Sequence, residues 1–413
     1  MNHTHNHYGW VGALALSLSS LVVSAQSLRV EVTNPTSSVR VGEPVEVALA
    51  KGAKSGVVVR RSVVGNRPET YDEVPSQVVD GRLLFVTDVD PHATETFTVE
   101  MTPDVAQRQY PERVHAHLKL WDRKYRYPRV NEVEFQGDVP SLAMYDAIYG
   151  HGAMWESEYV GFRIYMDHRQ SLDLYGKQHP QMELDSTNFY STPALMQNGF
   201  GEDILFAGQS VAAGSFRGLR NGRPCYIDTV AARRQRVVES GPVRTIVEME
   251  DRDWVHNGRV LQMRQRYTML AGHRDVQVDI YLEGCTDDEQ FVTGVQKLEM
   301  DNEGLLSTLS DGSALVGSWG RNVPDKANPA LIEGVGLGVY VPSAYVSAVE
   351  EDELNYLVRI HPVDGHIRYH ISAYALMQQD GPCQQASQWF GLLQQWPAAL
   401  TTPCRVRCKR SKK

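Results

Sequence analysis

With 413 residues, 42% of them hydrophobic, the chain is long enough to bury two or three domain cores. Its formal net charge is −9, and the last nine residues, 405–413, hold six basic side chains and no acid, so the preceding body stands at −15. A body that acidic, with no basic face, excludes nucleic acid as its natural partner.

The first 25 residues carry no Lys, Arg, Asp or Glu. Leu14, Leu16, Leu18, Leu21, Val22 and Val23 form an apolar run too short for the roughly 20 residues of a bilayer span. Val23-Ser24-Ala25 then offers the small residues that a signal peptidase reads. The expectation is a signal peptide over 1–25 and a periplasmic or secreted protein with no membrane span after cleavage. The n-region holds three His and no Lys or Arg, which leaves an uncleaved anchor or a misplaced start as the alternative.

From Leu28 to about Phe135 the text is β throughout. Leu28–Val32, Val45–Leu49, Leu83–Val86 and Thr94–Met101 alternate apolar with polar residues between turn signals such as Asn34-Pro35 and Asp80-Gly81. Short strands at this spacing predict an immunoglobulin-like β-sandwich over 26–138. Beyond Pro140 the strands lengthen: Val237–Met249 around Gly241-Pro242, Leu261–Leu270, Val276–Leu282, Gly336–Val341 and His366–Leu376. They predict a large antiparallel β-sandwich over 139–400, and no blade-length repeat supports a propeller. One helix is expected at Ala386–Trp396, where Trp389, Leu392, Leu393 and Trp396 recur at helical spacing. The basic tail, 401–413, reads as a solvated end.

The five cysteines, Cys225, Cys285, Cys383, Cys404 and Cys408, include no CxxC pair and no Cys/His cluster at ligand spacing. No metal or other cofactor is implied. An oxidising compartment permits disulfides, but spacing does not choose them, and buried free thiols are an equally good reading.

Chemistry concentrates between Tyr149 and Lys177. On the strand Gly161–Met166, Phe162, Ile164 and Met166 share the core face. Arg163 and Tyr165 share the other, about 7 Å apart. His151 lies between Gly150 and Gly152, and His168 and Lys177 follow. This set suits elimination beside a uronate carboxylate, which needs a cation on the carboxylate, a base for the neighbouring proton and an acid for the leaving oxygen. Arg163 or Lys177 can neutralise the carboxylate, His151 or His168 can be the base and Tyr165 the acid. The same residues also fit surface ion pairs, a turn and strand packing.

Further candidates for binding are Trp155, Glu156 and Tyr159, an exposed Arg217 in the turn at 214–218, and Lys297 at a strand end. His370 lies on the strand face it shares with His366 and Arg368, and that face and the one bearing Arg163 are candidate walls of one groove. His273 and Arg274 read as hairpin solvation.

The segments Tyr149–Ala153, Trp155-Glu156, Gly161–Asp167, Asp173–Lys177, Gly214–Phe216 and Gly294–Lys297 resemble an exported Bacteroidetes polysaccharide-utilisation family catalogued as a domain of unknown function. The resemblance spans nearly the whole mature chain. It implies a supersandwich fold like that of galactose mutarotases, an acidic oligosaccharide or polysaccharide as partner, and a uronate dehydratase or lyase. Two other readings stay open. One is a glycoside hydrolase pairing Glu156 with Asp167 or Asp185, and the other is a glycan-binding protein stacking sugars on Trp155, Tyr159 and Tyr165.

Overall fold

The computed structural model describes residues 26–62, 70–103 and 108–410. The expected signal peptide falls on 1–25, outside the described residues. The expectation of a mainly β protein built from antiparallel sandwiches holds.

The first sandwich sets a five-stranded sheet against a three-stranded one around Val30, Val32, Val45, Val47, Phe85, Phe97 and Val99. Its alternating strands bury one face each, as in Arg40–Ala48. The tail keeps its side chains exposed, as a solvated end would, but its backbone is paired rather than frayed. Arg405–Arg410 pairs antiparallel with Gln26–Thr33 as the edge strand, and Lys409 meets Glu31 at 3.0 Å. The unpaired backbone edge of Gln26–Thr33 supplies the reason, and acidic Glu31 matches the basic strand.

The second body has a nine-stranded sheet whose inner face is covered by two five-stranded sheets, with one continuous core between them. Two strands expected in the first sandwich belong here. Val114–His117 pairs with Gly152–Ser157, and Glu132–Gln136 pairs with Ala232–Ser240. The helix runs from Ala386 to Thr401 and buries Trp389 and Leu393 on the outer face of the large sheet. Glycines at 317, 336 and 338 leave room for it, since a Cβ on Gly338 would stand 2.4 Å from Leu393. All five cysteines are free thiols. Among the described residues no helix is long and apolar enough to cross a membrane.

The two bodies are tied by buried polar contacts. Gln77 bonds Glu239 and the backbone at 243 and 244, and the His273 ring meets the Gly42 carbonyl at 2.8 Å.

Candidate functional site

One five-stranded sheet presents its inner face to the core and a polar outer face to a covering segment, residues 178–201. Alternation decides which side chain goes where. Ala153, Trp155, Phe162, Ile164, Leu172 and Leu174 point inward. On the outer face the pairing register aligns Asp173, Arg163, Met154 and His117 in one row across four strands. The next row runs Asp203, Tyr175, Gly161, Glu156 and His115. The covering segment rests on this face: Glu156 accepts the N–H groups of Glu183 and Leu184, and the Tyr175 hydroxyl meets Glu183, Ser191 and the Gly201 carbonyl.

Arg163 organises the first row. Its guanidinium, 1% exposed, donates to Asp173, to Asp203 at 3.1 Å, to the Tyr165 hydroxyl at 2.7 Å and to the Tyr190 hydroxyl at 2.8 Å. Phe189 packs beneath it at 4.1 Å. Tyr165 passes its proton toward Asp173 at 2.6 Å. Two carboxylates thus share one buried cation. Burial, and then the charge of Asp173, push Asp203 well above the usual carboxylate range, which favours a proton there.

At the rim, Gly150 and His151 are both left-handed, with φ of 77° and 70°. A non-glycine residue in that region is costly and persists only where its surroundings hold it. Here the ring of His151 stacks on Tyr145 at 3.7 Å and meets the edge of Tyr190 at 6.2 Å. Its Nδ1 lies 3.2 Å from the Tyr145 carbonyl, so that nitrogen carries the proton and Nε2 keeps the lone pair. Burial lowers the His151 pKa and favours the neutral ring. Arg169, paired with Asp167, lies 5.7 Å from the Tyr145 ring and 5.5 Å from that of Tyr165. Burial raises Tyr190 and lifts Tyr145 to about 12, so both phenols are protonated at neutral pH.

Of the residues anticipated from sequence, His151, Arg163 and Tyr165 come together, and several others do not. Arg163 is not available to a substrate carboxylate because Asp173 neutralises it and Asp203, Tyr165 and Tyr190 occupy its other N–H groups. Lys177 is fully buried, with its ammonium spent on Glu156 and the carbonyls of Ser157 and Gln181. The same pair removes Glu156 from any hydrolytic role, and Asp185 is engaged by Lys119 and Arg129. Trp155 is no stacking platform: it is sealed in the core against Phe162 and Tyr267. His168 bonds Ser141 at 3.0 Å and faces Tyr226, apart from His151. Arg217, expected to be exposed, is 1% exposed and bonds Ser171 and the Phe216 carbonyl. Lys297 pairs with Glu351 at 2.9 Å.

His370 is on the reverse of the molecule, so its strand face and that of Arg163 are not two walls of one groove. It lines a cleft of about 860 Å³ between the two bodies, together with Tyr159, Arg274 and Trp396. Arg274 lies over Tyr159 at 4.5 Å and Tyr374 at 5.2 Å, and its Nη1 and the Nδ1 of His370 are buried without a hydrogen-bond partner. Burial lowers His370 to about 4, leaving it neutral. His273 is no solvated hairpin residue either, since it bridges Asp275 and Gly42.

Tyr145, Tyr190 and Asp203 are not among the residues the sequence singles out, and Arg274, read there as hairpin solvation, is instead largely buried over Tyr159 and Tyr374. Tyr190 arrives through the covering segment and Asp203 on the short strand Glu202–Asp203 that follows it, and nothing in their local sequence marks that return.

The architecture is that of a two-body antiparallel β protein with one polar sheet face under a cover. As the resemblance implied, its family is a domain of unknown function: the profile "Domain of unknown function (DUF4861)" matches residues 32–406, and the chain belongs to that family. No curated protein matches it. Among solved structures it is similar to a glycosyl hydrolase family 38 protein from Enterococcus faecalis, at 10% identity and a TM-score of 0.48 over 94% of this chain and 47% of that one. An alpha-mannosidase from E. faecalis V583 gives 10% and 0.46, over 94% and 46%. An aldose 1-epimerase candidate from Klebsiella pneumoniae gives 10% and 0.32, over 70% and 97%. The chain spans about half the length of the two Enterococcus proteins. At these values the likeness carries no assignment of activity.

Proposed function

We propose that this is an exported carbohydrate-active protein that acts on uronate-containing oligosaccharides by β-elimination at the rim formed by His151, Tyr145, Tyr165 and Tyr190. The observation that carries the reading is His151: a neutral ring, its Nδ1–H committed to a carbonyl and its Nε2 free, in a strained backbone beside protonated phenols. In this reading Nε2 takes the proton from the carbon next to the uronate carboxylate, and that electron pair forms the C=C bond as the neighbouring C–O bond breaks. Tyr190, the more exposed phenol, protonates the leaving oxygen. Arg169, whose side chain is 37% exposed despite its pairing with Asp167, rather than the buried Arg163 or Lys177, faces the carboxylate. Arg163 holds Tyr165 and Tyr190 in place.

The test follows the near-ultraviolet absorbance of the unsaturated uronate over a panel of uronate oligosaccharides. His151→Gln is expected to lose on the order of 10²–10⁴-fold in kcat/KM, and Tyr190→Phe a smaller factor, both with unchanged circular dichroism. No new chromophore with any substrate, or full activity in His151→Gln, overturns the reading.

A second reading, glycan binding without turnover, is favoured by the interbody cleft, where the unpartnered Arg274 Nη1 suits a carboxylate and Trp396 a sugar face. Uronate binding that survives in His151→Gln and is lost in Arg274→Met would support it.

A further inference from the structure

We propose that His115, His117 and Asp185 form a binding site for a divalent transition-metal ion of the Zn²⁺ type, separate from the proton-transfer rim. His115 and His117 are two apart on the strand Val114–His117, so both project from the outer sheet face, opposite Glu156 and Met154. Asp185 comes down on them from the short helix Leu184–Thr187. One ligand atom from each of the three lies within 4.8 Å of the others.

The site has the features that distinguish a metal centre from a satisfied core. His115 and His117 are 6% and 3% exposed, yet His115 Nε2 and both ring nitrogens of His117 are buried with no hydrogen-bond partner. A neutral His117 ring has one N–H and one lone pair, so these three nitrogens offer two lone pairs, one from each ring, and burying them without a partner is costly. The one paired nitrogen, His115 Nδ1, meets Glu112 at 2.9 Å. That contact places the proton on Nδ1 and aims the Nε2 lone pair at the site, the carboxylate–histidine arrangement common behind metal ligands. Two imidazoles and one carboxylate suit Zn²⁺ and its neighbours rather than Ca²⁺ or Mg²⁺, which prefer oxygen. Bond lengths of about 2.0–2.2 Å require the three atoms to close by roughly an ångström. Asp185, with a side chain 57% exposed, has room for that move, which must carry its contacts with Lys119 and Arg129 along or loosen them. Lys119 and Arg129 are the opposing charges, but both meet the Asp185 carboxylate through Oδ1, with Lys119 also on the Asp185 backbone carbonyl, which leaves Oδ2 for the ion. Three protein ligands leave a position for water.

The experiment strips the full chain with a chelator, loads it with Zn²⁺ alone, and measures bound metal by mass spectrometry and affinity by calorimetry. The expected result is one tightly held ion per chain, lost in His115→Gln and in His117→Gln and kept in the control His361→Gln. Glu112→Gln, a change at a half-exposed side chain, is expected to weaken binding by about 10–100-fold without disturbing the fold. If either histidine variant fails to fold, this arm decides, and unchanged affinity in Glu112→Gln overturns the proposal. No bound Zn²⁺ overturns it as well. So does binding that survives both histidine substitutions, as ligation by His3, His5 and His7 would.

Discussion

Replacing Lys177 by Met separates an internal anchor from a substrate-binding cation. Methionine keeps most of the stem volume but leaves the Glu156 carboxylate without its counter-charge and two carbonyls, at 2.6 Å from the ammonium, without a donor. Both partners are sealed, at 0% and 1% exposure, so water does not compensate. Removing one member of such a pair costs about 3–5 kcal/mol. Glu156 keeps the amides of Glu183 and Leu184, which places the expected loss near the low end, about 3 kcal/mol. Lys177→Met with Glu156→Gln, which removes the charge as well, is expected to recover about half of that. Urea unfolding followed by circular dichroism reads the loss as a lower midpoint at constant slope. A loss under about 1 kcal/mol, with uronate turnover abolished, would refute the structural assignment and return Lys177 to the substrate.

Two further outcomes follow from the geometry. His273, raised to about 9 chiefly by the opposing Asp275 charge despite burial, carries its proton in the folded protein at neutral pH. Its contribution to stability is complete below the ordinary histidine pKa and is lost as pH rises through about 9, so the pH dependence of unfolding between those limits should flatten in His273→Gln. Truncation after Pro403 removes the edge strand Arg405–Arg410. Hydrogen exchange in Gln26–Thr33 is then expected to accelerate while Val160–Tyr165 stays protected, and equal protection of both would disprove the pairing.

Strand periodicity was legible because it is local. The alternation in Thr94–Met101 or Leu261–Leu270 names a strand and its buried face without reference to anything else, and Phe162, Ile164 and Met166 point inward as their spacing requires. The same rule placed Arg163 and Tyr165 together on the opposite face, and their 2.7 Å contact follows from it. The His115-Ala-His117 alternation is equally local, but two histidines two apart do not match the Cys/His spacings of a structural zinc site, and Asp185 joins them only in three dimensions.

What sequence alone determined is therefore the β class, the faces of the strands and the neighbourhood of His151. Tertiary structure decided which charges are free to act. Lys177 and Arg163 are cations on a polar face in any reading of the chain, but their roles depend on Glu156, Asp173 and Asp203, which other strands supply, and on a cover that closes over them. The tail and the nine-stranded sheet make the same point. Arg405–Arg410 looks solvated until the edge of Gln26–Thr33 is there to pair it, and His370 joins the rim only until the sheets stack and turn it to the far side. Pairing across long sequence separations is a property of the assembled sheets, and no local pattern encodes it.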